Sequence, residues 1–85
     1  MPAYLVERYF PRSRVGEVDT EARRARDAAE SLTHAGSAIR YVRTTMLPDD
    51  ETCFHVFEAD SEDVVSDLCR RAGLHHARIA RAVER

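Results

Sequence analysis

What most constrains this chain is where its hydrophobic period changes. Tyr4 to Phe10 reads Tyr-Leu-Val-Glu-Arg-Tyr-Phe, an aromatic and β-branched run that suits a strand and that Pro11 ends. From Asp19 to His34 the pattern turns helical, with Val18, Ala22, Ala25, Ala29 and Leu32 recurring at spacings of three and four and charge between them. Asp19 is placed to cap this helix and Gly36 to stop it. The strand pattern returns at about Ala38 to Met46 and at Thr52 to Ala59, and the turn-rich Leu-Pro-Asp-Asp-Glu between them reads as a hairpin. A second helix opens at Asp60 or Ser61. It has Glu62 and Asp63 where the helix dipole favours anions, Arg70 and Arg71 where it favours cations, and a stripe of Val64, Val65, Leu68 and Ala72 that ends at Gly73. A last strand lies near Arg78 to Val83. The order β-α-β-β-α-β predicts an α+β, ferredoxin-like domain, a four-stranded antiparallel sheet with two helices on one face.

Composition narrows the class further. Eighty-five residues, 44% hydrophobic and 33% charged, leave room for one core, so residues 1–85 are expected to form a single domain. Thirteen cations, all arginine, face fifteen anions, which excludes the basic excess of an electrostatic nucleic-acid binder. No apolar run approaches the roughly 20 residues of a membrane span, and the N-terminus does not read as a secretory signal, so the expected location is cytoplasmic. Cys53 and Cys69 form neither a metal-type pair nor a disulfide framework and are expected as reduced thiols.

A hairpin turning through Leu47 to Glu51 sets opposite each other residues whose numbers sum to 98, such as Arg40 with Glu58, a cross-strand ion pair. Val42, Met46, Phe54 and Val56 then share one face, which is expected under the first helix. Ile39, Tyr41, Arg43, Cys53, His55 and Phe57 share the other, joined there by Glu7 of the first strand. Arg8 falls on the helix side, where it is comfortable only if it reaches out at the strand end. An open face this apolar, in a chain with no third layer, predicts a homodimer with its sheets face to face, the dimeric α+β arrangement.

Glu7, Arg43 and His55 are the titratable groups of that face, with Tyr41 beside them. Two readings stay open: an ion pair of Arg43 with Glu7 next to a hydrogen-bonded core histidine, or a pocket for a small ligand or a metal held by His55 and Glu7. His34, His75 and His76 sit near helix C-termini and read as capping or solvated. Asp49-Asp50-Glu51 reads as a solvated turn, and Arg23, Arg24 and Arg26 alternating with Glu21, Asp27 and Glu30 as an exposed helix face.

From end to end the sequence resembles a family of small ferredoxin-like proteins of unassigned function that includes a cytosolic nickel-binding protein. The resemblance rests on Leu5-Val6-Glu7-Arg8, on Phe57-Glu58-Ala59, and on Arg70-Arg71-Ala72-Gly73-Leu74 followed by Ala77-Arg78-Ile79. It implies a dimer and nickel chemistry. It also implies that Arg43 and Leu68 stand where the family has histidine, His55 where it has cysteine, and Glu7 where it also has glutamate. With two of three donors replaced, and an arginine adverse to a divalent ion, nickel or zinc is expected to bind weakly or not at all. The functional expectation is a homodimeric binding protein whose pocket takes a divalent metal or a small carboxylate. The alternative is a cofactor-independent isomerase or monooxygenase that uses His and Glu in acid–base chemistry.

Overall fold

The computed structural model describes residues 1–85, and its elements come in the expected order. Strand β1 spans Ala3–Tyr9, helix α1 Val18–His34, β2 Ile39–Leu47, β3 Thr52–Ala59, α2 Glu62–Ala72 and β4 Arg78–Ala82. All strand pairs are antiparallel, in the order β2-β3-β1-β4. No helix is long and apolar enough to cross a membrane.

The helix ends follow local chemistry. Gly73 closes α2 at φ 71°, a left-handed position that glycine occupies without strain. Asp19 does not cap α1 as expected: a 3-10 turn over Arg12–Glu17 runs straight into the helix, and the Val18 N–H already donates to the Val15 carbonyl. With no free helix start at that point, Asp19 lies in the first turn instead.

The core forms where α1 buries Ala25, Ala29 and Leu32, and α2 buries Val65, Leu68, Cys69 and Ala72. The sheet answers with Tyr4, Val6, Ile39, Phe57 and Ala59. Phe57 is fully enclosed and meets Tyr41 edge to face with ring centroids 5.8 Å apart.

This packing corrects the face assignment for β2 and β3. Directly opposed residues share a face, and β1 sets Tyr4 against Phe57, Val6 against His55 and Arg8 against Cys53. Cys53, His55 and Phe57 therefore lie under the helices, while Phe54 and Val56 lie on the open side with Leu5 and Glu7. The hairpin pairing expected for Arg40 with Glu58 is present, but the register shifts between Tyr41 and Arg43. Val42 is the extra residue of a β-bulge, so past it Thr44 faces His55 and Arg43 faces Val56. The bulge turns Arg43 to the open side and brings Thr44 beneath the helices.

Candidate metal centre

Four side chains from three elements meet at one end of the core. Arg8, late in β1, reaches Glu21 in α1 with Nη2 donating to Oε1 at 2.6 Å and Nε to Oε2 at 3.3 Å. His55 of β3 donates from Nε2 to the same carboxylate at 2.8 Å. The Cys53 sulfur lies 3.9 Å from that ring nitrogen. Glu21 and Cys53 are buried, and His55 is 0% exposed. A carboxylate in such a place needs partners, and burial alone would push its carboxyl upward. The hydrogen bonds from His55 and Arg8, with the charge of Arg8, overcome that and hold Glu21 at about 2. Burial raises the Cys53 thiol to about 11, the Glu21 charge adds to the rise, and Arg8 opposes it only in part.

Beyond the ring the bonding continues outward. His55 Nδ1 lies 2.7 Å from Thr44 Oγ1, which lies 2.7 Å from the Tyr41 hydroxyl. An ionised carboxylate only accepts, so Nε2 carries a proton toward Glu21. In the neutral ring Nδ1 then accepts from Thr44, and the Thr44 oxygen accepts from Tyr41. Every buried side-chain nitrogen and oxygen thereby has a partner.

Of the residues expected to share a pocket, the structure brings together only Tyr41 and His55, through Thr44. Glu7 instead accepts from Arg78 at 3.1 Å, and Arg43 pairs with Glu84 at 3.2 Å. Neither the expected Arg43–Glu7 pair nor a metal site made of His55 with Glu7 is present. The physical reason is the parity of β3 against β1 for Glu7 and the bulge at Val42 for Arg43, which together put the imidazole and these charges on opposite sides of the sheet. Leu68 is core. His34, His75 and His76 are exposed. Glu51 accepts the Arg12 backbone N–H at 2.8 Å, so part of the acidic turn has a structural task.

Sequence reasoning missed Glu21 and underused Arg8. Glu21 sits among exposed charges in the sequence, yet at four, eight and eleven residues before Ala25, Ala29 and Leu32 it belongs to the buried stripe of α1. Arg8 was already out of place as a cation on the helix side of β1. A buried acid on that stripe is what resolves it.

Carboxylate, thiol and imidazole are a donor set suited to borderline transition ions, and here one atom of each lies within 4.8 Å of the others. The three come from α1 and β3, so the tertiary fold assembles them. The residues fit a metal in type and spacing, with Arg8 as the cation already in place. No curated protein matches the chain. The family model described as nickel responsive protein SCO4226-like matches residues 4–81. A match over nearly the whole chain, on a fold with this order of elements, places the protein in the SCO4226-like family.

Proposed function

We propose that this domain is a metal-responsive binding module in which Glu21, Cys53 and His55 take a divalent transition ion of the nickel class. The observation that carries the reading is the buried carboxylate–thiol–imidazole group, supported by the name of the family. The ion would supply the positive charge that Arg8 and the Nε2 proton of His55 supply to Glu21 without it. To ligate, His55 must free Nε2 and keep its proton on Nδ1, where Thr44 can accept it, the usual outer-shell arrangement for a ligating histidine. Cys53 must lose its proton. Arg8 must withdraw, and with its side chain 17% exposed it is the most accessible member of the group and the natural gate. Competition from Arg8 and a thiol raised to about 11 both make the affinity modest, and loss of the thiol proton makes it increase with pH.

Titration calorimetry with Ni²⁺ tests this. Wild type is expected to give one saturable site per chain, with heats that vary with the ionisation enthalpy of the buffer because protons are released. Cys53→Ser keeps the side chain's size and should weaken binding by about tenfold or more. Equal isotherms for the two proteins, or no binding at pH 8, would sink the reading. The acid–base enzyme alternative requires an imidazole that a substrate can reach, and His55 is fully enclosed.

The same reading includes a homodimer in a reducing compartment such as the cytoplasm. Both cysteines are free. Leu5, Phe54, Val56 and Ala80 form an apolar centre on the side of the sheet away from the helices, and Glu7–Arg78, Arg40–Glu58 and Arg43–Glu84 surround it. A second copy would match this pattern of paired charges by symmetry. Sedimentation at micromolar concentration should give about twice the chain mass, and Phe54→Asp should return it to one. A wild-type monomer at these concentrations would remove the dimer.

A further inference from the structure

The connection from α2 to β4 is anchored at both ends and held in the middle by one side chain. Leu74 is buried, and its N–H donates to the Cys69 carbonyl at 2.9 Å. Arg78 begins β4 opposite Glu7. Between these anchors, and outside the helix and strand ladders, the one hydrogen bond that reaches residues 75–77 comes from Arg8, whose Nη1 donates to the His75 carbonyl at 2.5 Å. His75 and His76 are exposed, so packing does not fix them. His76 also has φ 59°, a left-handed conformation that a residue with a side chain keeps only where its surroundings hold it.

Arg8 is therefore shared between two parts of the fold. Nε and Nη2 go to Glu21, at 3.3 and 2.6 Å, while Nη1 goes to the connection. A guanidinium is planar and rigid, so its three nitrogens move as one body. Drawing Nε and Nη2 off the carboxylate swings Nη1 off the carbonyl.

We propose that Arg8 is a latch that couples the Glu21–Cys53–His55 group to the α2–β4 connection: an ion that takes Glu21 from Arg8 also frees residues 75–77. The proposal rests on the metal reading and adds to it the place where occupancy is displayed, the exposed His75–His76 turn. Its two states differ in the contacts of one side chain. In the first, Arg8 closes on both Glu21 and His75. In the second, Arg8 has left both, and the connection keeps only its anchors at Leu74 and Arg78. The coupling is reciprocal, so a change that opens the latch must strengthen ion binding.

Backbone ¹⁵N order parameters test this, with Zn²⁺ as a diamagnetic ion suited to the same donors. The parent protein carries His75→Asn and His76→Asn, which removes two surface imidazoles and keeps the carbonyl that Arg8 uses; asparagine tolerates the left-handed position. With chelator, residues 75–77 are expected near the ~0.85 of rigid backbone, and saturating zinc should bring them below about 0.6 while Ala25 and Ala29 in α1 stay unchanged. Cys53→Ser should need about tenfold more zinc for the same change. Arg8→Lys keeps the charge but replaces the fork by a single ammonium, so it should loosen residues 75–77 without zinc and bind zinc about fivefold or more tightly. Zinc that binds while residues 75–77 stay ordered would overturn the latch and leave the metal reading standing, and this arm decides the matter even where Arg8→Lys folds poorly. A folded Arg8→Lys protein whose connection stays ordered in chelator would also overturn the latch. No zinc binding at pH 8 would overturn the latch together with the metal reading.

Discussion

Glu21→Ala should cost about 3 to 5 kcal/mol of folding free energy, because it leaves buried groups of the opposite character without their partner. The variant strands two donors of Arg8 and the enclosed Nε2–H of His55, all of which converge on this one carboxylate. Against the ~5 to 15 kcal/mol typical of whole domains, a loss of this size removes much of the native stability. For a domain of this length it corresponds to a melting point lower by roughly 15 to 30 °C. Urea unfolding of both proteins measures it directly. A cost below about 1 kcal/mol would be that of an exposed ion pair and would contradict the buried cluster. The same carboxyl gives a pH dependence of definite sign. Its folded value of about 2 lies below the ordinary 4.5, so its contribution is complete above pH 4.5 and is lost as the pH falls toward 2. That contribution is about 3 kcal/mol and should disappear from the acid limb of the stability curve in the variant.

Phe57→Ala and Phe54→Ser should separate sharply, although the two residues are three apart on one strand. Phe57 is fully enclosed between sheet and helices, so its truncation should cost about 3 to 5 kcal/mol through lost burial and a cavity against Tyr41 and Leu32. Phe54 is partly exposed on the other side and should change the unfolding of the single chain by no more than about 1 kcal/mol. Denaturant unfolding at low protein concentration is the measurement. Comparable losses, or the reverse order, would mean that the helices cover the opposite face.

These two residues also mark where the sequence stops being legible. Element order was readable because punctuation is local: Pro11, Gly36, Pro48 and Gly73 each act within their own turn. Which face of β3 points inward was not, because Cys53, His55, Phe57 and Ala59 on one side and Phe54 and Val56 on the other are both apolar, and alternation cannot choose between them. The bulge at Val42 was equally hidden, since a β-branched residue gives none of the glycine signal that often accompanies a bulge. Glu21 was readable in principle from its spacing to Ala25 and Ala29, but flanking arginines made it look like part of a solvated face. The site followed the face and the bulge: once β3 was reversed, His55 had to leave Glu7 and meet whatever acid α1 supplied, and the extra residue in β2 turned Arg43 away from it.

The central claim, that Glu21, Cys53 and His55 form one ligand set for a nickel-class ion, is tested most directly by nickel X-ray absorption on the loaded protein. The account predicts one sulfur donor among nitrogen and oxygen donors, with the sulfur contribution absent in Cys53→Ser. An all-nitrogen and oxygen environment in wild type, unchanged by that substitution, would place the metal on surface groups such as His75 and His76 and contradict the account.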